Sequence, residues 1–314
     1  MNGALDVVTF GEAMLLLVAD RPGAIEDAEG FTKRTAGAET NVAVGLARLG
    51  LKVGWVSRLG GDWVGRFLLR AMQHEGIDCS RVVCDATART GLMFKGRVDG
   101  GGDPPVEYHR AHSAASQFRP EQIDDAWLTG ARHLHTTGVF PALSAHCLAS
   151  TQRSMQLMRH AGRTISFDPN LRPMLWRSTE QMRETINALA FQADWVLPGI
   201  DEGRLLTGAD TPEGIARFYR ERGAKLVVVK LGPQGAYHDS ESGCGYVQGV
   251  AVTQVVDTVG AGDGFAVGVV SALLDGANVQ QAVLRGAWIG ARAVQVLGDT
   301  EGLPTRGELE SARL

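Results

Sequence analysis

The sequence predicts an α/β fold, in which helices cover both faces of a mainly parallel β-sheet and a second, small β-sheet lies over one edge. Three observations support this prediction. Short apolar runs alternate with segments of helical periodicity, two other stretches alternate with a period of two, and the 314 residues are 44% apolar. A chain of this length and composition can bury a large core, and we expect residues 1–314 to form a single domain.

The core elements alternate in order along the chain. Apolar runs predict strands at 6–10, 52–57, 132–136, 164–168, 194–197 and 226–230. Apolar residues at i, i+3 and i+4 predict helices between several of these strands, at 41–49, 64–75 and 148–159. Because strand and helix alternate, we expect right-handed crossover connections and parallel strands.

Two stretches interrupt this alternation, at approximately 12–36 and 89–113. Each has period-two alternation and a cluster of turn residues, at 21–23 in the first stretch and at 99–105 in the second. We therefore expect two antiparallel hairpins, which together form the small β-sheet.

Charge and cysteine content limit the possible partners. Lys and Arg number 31 against 35 Asp and Glu, and the net charge of −4 disfavours nucleic acid and anionic membranes as partners. The four cysteines form no CxxC pair and no zinc-type spacing with His, so neither a disulfide framework nor a structural zinc site is predicted. No stretch approaches about 18 apolar residues and the N-terminus lacks a signal-peptide pattern, so we expect a cytoplasmic protein with a small-molecule partner.

Residues 257–268, with the sequence DTVGAGDGFAVG, carry the clearest chemical signal. They follow a predicted strand at 250–256 and begin a helix that extends to about Leu274. Small residues at a helix start expose backbone N–H groups at the positive end of the helix dipole, which suits a phosphate. A carboxylate there would repel phosphate, so we interpret Asp263 as a base that takes the proton of a substrate hydroxyl attacking a γ-phosphorus. The alternative is that Asp263 is merely a favourable residue at a helix N-terminus.

Two other nucleotide-binding patterns do not fit. The 260–265 loop does not match the dinucleotide pattern GxGxxG, because the third glycine position holds Phe265. The Walker A pattern GxxxxGK[ST] is absent from the sequence, so a P-loop mechanism is excluded.

A second segment, at 35–43, precedes a predicted helix. Gly37 allows a ligand to approach the backbone, and Asn41 offers a donor and an acceptor for sugar hydroxyls. The alternative is that Thr40 or Asn41 only caps the helix.

Together these motifs resemble those of the pfkB carbohydrate kinases, the ribokinase-like family. Residues 257–268 are similar to the family's C-terminal signature, and the spacing of Asn41, Ala43, Gly50 and Gly60 is similar to its N-terminal signature. The two motifs lie over 200 residues apart in the expected order, and the resemblance covers essentially the whole chain. It implies a three-layer ribokinase-like core with a β-sheet lid, and ATP-dependent phosphorylation of a sugar hydroxyl with Mg²⁺.

The resemblance also assigns roles to individual residues. Asp263 matches the general base, and Gly260, Ala261 and Gly262 match the anion hole that is formed by backbone amides. The residues implied in nucleotide binding are Asn170, Lys230, Gly232, Gly235 and Gly262. Glu202 is implied in holding Mg²⁺ indirectly, and Asp257 with the carbonyl of Val259 in holding a monovalent cation, K⁺. At three positions the residue differs from the one that is typical of the family, and these are Gly199, Ala287 and Trp288.

Within the family, several segments are similar to 2-keto-3-deoxygluconate kinases. They are the Gly37–Asn41 motif, the run from Glu107 to Ser116, the run from Gly138 to Ser144, and the stretch from Asp168 to Arg172. This similarity implies that the sugar acid is surrounded by Gly37, Asn41, Tyr108, Arg110, Arg172 and Asp299. Arg suits a carboxylate because its guanidinium is a rigid fork of donors.

Three expectations stay open from the sequence. A fructokinase or another sugar kinase of the family is the alternative function, because fructokinases share a stretch similar to 168–172, and a non-catalytic sensor on the same fold is the contrasting hypothesis. We expect the lid to close over the sugar and exclude water. Pairing of two lids would protect the free sheet surface, so we expect a homodimer.

Overall fold

A computed structural model describes residues 4–98, 104–312 and 314. The strands are β1 (Val7–Phe10), β2 (Met14–Ala19), β3 (Phe31–Ala36), β4 (Val53–Gly60), β5 (Asp78–Asp85), β6 (Leu92–Lys95), β7 (Val106–His109), β8 (His133–Thr137), β9 (Thr164–Asp168), β10 (Trp195–Val196), β11 (Leu226–Lys230), β12 (Gly235–Ser240) and β13 (Gly243–Gln248). The α-helices are α1 (Ala38–Arg48), α2 (Trp63–His74), α3 (Asp125–Thr129), α4 (Val139–Ala142), α5 (Ala145–His160), α6 (Thr179–Ala190), α7 (Ile200–Thr207), α8 (Pro212–Arg220), α9 (Ala261–Leu274), α10 (Val279–Ala293) and α11 (Arg306–Ser311).

The described residues form a large nine-stranded sheet in the order β13-β12-β11-β10-β9-β8-β1-β4-β5. Its strands from β11 to β5 pair in parallel, while β12 and β13 extend the opposite edge as an antiparallel hairpin. Side chains alternate between two buried cores: Val7 packs with α1, α2, α9 and α10 on one face, and Val8 and Phe10 pack with α5, α6 and α8 on the other. The predicted α/β fold with helices on both faces is confirmed.

The second sheet, called the lid here, has the order β3-β2-β6-β7. The pairs β2–β3 and β6–β7 are antiparallel hairpins, and a parallel pairing of β2 with β6 joins them. Met14, Leu16, Val18 and Met93 form a small buried cluster on one face of the lid. The two hairpins lie in the predicted stretches; of the turn predicted at 99–105, residues 99–103 lie outside the described residues.

One predicted strand is wrong. Residues 250–256 are irregular, and most of their side chains are exposed or half-buried. The backbone N–H groups of Val256 and Asp257 both donate to the carbonyl of Val294, just after α10, at 2.8 and 3.2 Å. The end of this apolar segment therefore forms its backbone hydrogen bonds with the end of α10 and not with a strand at a sheet edge. Within the described residues, no helix is long and apolar enough to span a membrane.

Candidate active site

A cavity of about 520 Å³ lies between the carboxyl ends of the parallel strands and the lid. Asp168 ends β9 and Lys230 ends β11, so both side chains reach this cavity from the sheet. Clefts at the carboxyl ends of parallel strands are common ligand sites, because several loops and helix N-termini converge there. Of the residues predicted for the site, those that line the cavity are Gly37, Asn41, Tyr108, Arg110, Asn170, Arg172, Glu202, Lys230, Val259, Gly260, Gly262, Asp263 and Asp299.

The N-terminus of α9 points at the cavity. Gly260 precedes the helix with φ of 85°, and a Cβ atom there would lie 2.8 Å from the carbonyl oxygen of Asp299. Only glycine fits both the positive φ and this close approach. Gly260 and Gly262 line the cavity, whereas Ala261 begins the helix without lining it. Backbone N–H groups in the first helical turn lack intrahelical partners, so this end of α9 suits an anion.

Asp263 lies in the first turn of α9 and is 8% exposed. It accepts hydrogen bonds from the side-chain amides of Asn41 (2.8 Å) and Asn170 (3.3 Å). Burial raises the pKa of Asp263 to about 7, and the negative charges of Asp168 and Asp299 add to the rise, which the hydrogen bond from Asn41 opposes. The carboxyl can therefore exchange a proton near neutral pH.

Asn41 does not cap its helix. The N-cap position of α1 is Gly37, and the Asn41 side chain reaches to Asp263 and, at 3.4 Å, to Asp299. The hydroxyl of Thr40 donates to the carbonyl of Gly37, so the capping interpretation of both side chains is wrong. Within the described residues the buried side-chain oxygen of Asn41 has no hydrogen-bond partner, and it is available to accept from a ligand.

Lys230, which is half-buried, and the buried Asp168 form an ion pair of 2.6 Å at the strand ends. Burial alone would lower the pKa of Lys230, but the carboxylates of Asp168 and Glu202 raise it above its ordinary value. Asp168 also accepts from the backbone N–H of Asn170, which has a positive φ of 39°. Sequence reasoning gave Asp168 no role, although its place at the end of a predicted strand was a signal.

Glu202 organises the backbone next to this ion pair. Its two carboxylate oxygens accept from the backbone N–H groups of Leu171 and Gly199, each at 2.7 Å. Gly199, which differs from the residue typical of the family, therefore still contacts Glu202 through its backbone N–H.

Two predicted glycines lie just after β11: Gly232 is in the loop that follows this strand, and Gly235 begins β12. Gly232 and Gly235 have positive φ values of 58° and 101° and do not line the cavity. A Cβ atom on Gly235 would lie 2.0 Å from the carbonyl oxygen of Val247, so the close approach of β13 requires glycine there.

Ala287 and Trp288, the other two residues that differ from the family pattern, lie on α10. Ala287 packs in the core, and Arg292 lies over the ring of Trp288, 5.1 Å from its centroid.

Arg110 is already paired. Its Nε donates to Glu12 at 2.7 Å, and the buried Glu12 also accepts from the hydroxyl of Ser113. The guanidinium of Arg110 lies over the ring of Tyr108, 5.7 Å from its centroid. Sequence reasoning missed Glu12, whose signal was its position two residues after a predicted strand.

Arg172 differs from Arg110. Arg172 lines the cavity, and among the described residues its guanidinium makes one hydrogen bond, from Nη1 to the carbonyl of Leu171 at 2.8 Å, with no carboxylate partner within ion-pair distance. Its positive charge therefore faces the cavity without being balanced by a direct contact.

Asp257 and Asp299 lie next to the N-terminus of α9, and Asp299 also lines the cavity. The ammonium of Lys95 binds Asp257 and lies 3.8 Å from Asp299. Asp257 also accepts from the backbone N–H of Val259 at 3.1 Å. Burial raises the pKa of Asp299 to about 6, which the positive charge of Lys95 opposes.

Within the described part of the chain, no group of three or more His, Cys, Asp or Glu side chains is arranged to hold a metal ion. Mg²⁺ that is bound together with a nucleotide does not require such a group, because it keeps several waters and uses phosphate oxygens with one or two carboxylates. The two nearby carboxylates, Asp168 and Glu202, line the cavity, and both oxygens of Glu202 accept hydrogen bonds from backbone amides.

Residues 4–306 match the family described as pfkB family carbohydrate kinase. The chain belongs to the pfkB family of carbohydrate kinases. It is 51% identical over 308 residues to the 2-dehydro-3-deoxygluconokinase of Bacillus subtilis (strain 168), which covers 98% of this chain and 95% of that protein. The prediction of an ATP-dependent carbohydrate kinase is thereby confirmed.

Solved structures show the same fold. A PfkB protein from Polaromonas sp. JS666 is 67% identical, with a TM-score of 0.91 and coverage of 98% of this chain and 100% of that one. A protein named ribokinase II from E. coli, crystallised with ATP and Mg²⁺, is 26% identical with a TM-score of 0.89, over 98% of both chains. ATP and Mg²⁺ are typical of this family.

Proposed function

We propose that this protein transfers the γ-phosphoryl group of ATP to the terminal hydroxyl of 2-keto-3-deoxygluconate, giving the 6-phosphate and ADP. One observation carries the proposal: a buried carboxylate, Asp263, and a guanidinium with no carboxylate partner among the described residues, Arg172, line one cavity. The similarity to the B. subtilis 2-dehydro-3-deoxygluconokinase supports the same sugar acid. In this proposal residues 1–314 act as one kinase domain, and the stretches at 12–36 and 89–113 cover the sugar.

Asp263 is the proposed general base. It accepts the proton of the terminal hydroxyl while that oxygen forms a bond to the γ-phosphorus, and the bond from this phosphorus to the bridging oxygen of ADP breaks. A base with a pKa of about 7 is substantially ionised at neutral pH and still basic enough to take the proton. Asn41 and Asn170 hold the carboxylate in place by donating to its two oxygens.

The backbone amides of Gly260, Ala261 and Gly262 are the proposed anion hole for the phosphoryl group. Phosphoryl transfer depends mainly on positioning and on charge stabilisation, so donors fixed at a helix N-terminus lower the barrier. Lys230 and Asn170 are placed beside them at the strand ends and would contact the nucleotide phosphates. Gly232 and Gly235 would shape the loop along the same phosphates.

Mg²⁺ bound with ATP would neutralise negative charge on the phosphates. Asp168 is the carboxylate placed to contact it or its waters. Glu202 would act indirectly, because its oxygens hold the backbone of Leu171 and Gly199.

Arg172 is the proposed partner of the substrate carboxylate. Because Glu12 already balances the charge of Arg110, Arg172 supplies the positive charge that an anionic substrate requires. Tyr108 lies beside the guanidinium of Arg110 and would contribute a hydroxyl. Gly37, Asn41 and Asp299 would complete the surroundings of the sugar.

The test compares kcat/KM for 2-keto-3-deoxygluconate and fructose, with ATP and Mg²⁺, in the wild type and Arg172→Ala. A desolvated charged hydrogen bond contributes ~1.5 to 3 kcal/mol, so the variant should lose about 10- to 150-fold for the acid and little for fructose. Arg177→Ala is the matched control, because Arg177 is exposed on the same segment and does not line the cavity.

Two results would redirect the proposal. A higher wild-type efficiency with fructose, or an equal loss for both substrates in Arg172→Ala, would favour a fructokinase or another sugar kinase of the family. A protein that releases no ADP with any sugar or sugar acid would favour the non-catalytic sensor, which has no use for an acid beside a phosphate site.

A further inference from the structure

Lys95 is a fully buried lysine on the lid strand β6, with 0% of its side chain exposed. Its ammonium binds the carboxylate of Asp257, which is 1% exposed, and lies 3.8 Å from Asp299. A buried lysine is costly unless carboxylates compensate its charge, so its presence at this position calls for a reason.

Asp257 joins two backbone segments behind the anion hole. It accepts from the N–H of Val259 at 3.1 Å, and the N–H of Gly298 lies 3.5 Å from its other oxygen. Val259 leads directly into Gly260, whose close neighbour is the backbone of Asp299. The position of the Asp257 carboxylate therefore fixes the loop from which the amides of α9 project.

A carboxylate in this position needs a positive charge next to it. The sequence led us to expect a monovalent cation held by Asp257 and Val259. In the structure, an ammonium of the chain itself binds Asp257, with a charge equal to that of K⁺. A second cation beside the same carboxylate would be repelled by Lys95, so the residues present do not fit a K⁺ ion.

We propose that Lys95 is a positioning residue that takes the place of a monovalent cation beside Asp257 and makes this kinase independent of K⁺. The proposal rests on the proposed function of 260–262 as an anion hole. Because Lys95 belongs to the lid and Asp257 to the core, the same ion pair also ties the placement of the lid to the shape of the anion hole. The lid thus supplies the positive charge that would otherwise have to come from a cation in solution.

The test measures thermal stability and kcat in tetramethylammonium chloride, KCl and NH₄Cl at constant ionic strength. Wild-type Tm and kcat should be the same in the three salts, within about 1 °C and twofold. Lys95→Ala opens a space beside the unpaired Asp257, so its Tm should fall and recover by several degrees in KCl or NH₄Cl, because these ions bind the folded state. Its kcat should rise at least about tenfold in the same salts.

Lys33→Ala is the matched control, since it removes an exposed lysine from the lid strand β3. It should show no selective response to K⁺ or NH₄⁺. If Lys95→Ala is unfolded in every salt, the double variant Lys95→Met, Asp257→Asn removes both charges and should fold without any response to these cations.

The Tm measurement needs no substrate, so it separates this inference from the proposed function. Selective stabilisation or activation of the wild type by K⁺ would overturn the inference. A folded Lys95→Ala with the same Tm and kcat in all three salts, or a double variant whose Tm responds selectively to K⁺, would also overturn it.

Discussion

The buried carboxyl of Asp263 should weaken the fold at neutral and alkaline pH. Its pKa is about 7 in the folded protein against an ordinary value of 3.8, so folding favours the protonated form. The free energy of unfolding therefore decreases as pH rises from about 4 through 7 and stays low above 7. Asp263→Asn removes this cost and keeps the shape, so it should stabilise the protein at pH 8.

The size of the effect follows from the two pKa values. The difference between 3.8 and about 7, at about 1.36 kcal/mol per pH unit, sets an upper limit of ~4 kcal/mol at pH 8. Titration of Asp168 and Asp299 absorbs part of it, and we expect about 1.5 to 4 kcal/mol, or a Tm rise of about 2 to 6 °C. Near pH 4 the rise should be small, because the carboxyl is then protonated in the folded state and about half protonated in the unfolded state.

Differential scanning calorimetry at pH 4.5 and pH 8 measures both values. Asp210→Asn is the control, because Asp210 is exposed and its substitution should stay within about 0.5 kcal/mol at either pH. A stabilisation of Asp263→Asn that is equal at the two pH values, or greater at pH 4.5, would refute the reasoning.

Two further predictions follow from the site and the lid. The acid limb of the kcat/KM profile should have its midpoint near pH 7, the pKa of Asp263. Asn41→Ala should move this midpoint upward by about one pH unit, because the hydrogen bond from Asn41 lowers the pKa of Asp263. Protonation of ATP does not depend on Asn41, so a midpoint that stays in place would assign the acid limb to the nucleotide. The proposed homodimer should appear in light scattering with twice the chain mass of 33.5 kDa. Its structural basis is a pair of half-buried aromatic rings, Phe31 and Phe94, on the second face of the lid. A monomer at micromolar concentration would contradict this prediction.

The sequence was most informative where chemistry requires particular residues close together along the chain. The glycines and the acid of 260–263 lie within one helical turn, and local patterns are enough to find them. Asn41 also came from a local motif, although its partner Asp263 is 222 residues away. The parallel pairing of the central strands was predicted from their alternation with helices, because parallel neighbours need such crossover connections, whereas their order in the sheet was not predicted.

Long-range pairs could not be predicted in the same way. Lys95 binds Asp257 across 162 residues, and Glu12 binds Arg110 across 98. Nothing in either local pattern indicates that a lysine on an alternating strand is fully buried. The strand predicted at 250–256 fails for a related reason, since apolar periodicity cannot tell whether a sheet edge is available for pairing.

The central claim is that Asp263 removes the proton from the hydroxyl that is phosphorylated. The most direct measurement is the kcat of Asp263→Asn with saturating ATP, Mg²⁺ and 2-keto-3-deoxygluconate, in protein shown to be folded. General-base catalysis predicts a loss of about 10²- to 10⁴-fold with KM nearly unchanged. A kcat within a few-fold of the wild type would contradict the account, and would leave Asp263 as a residue that only begins helix α9.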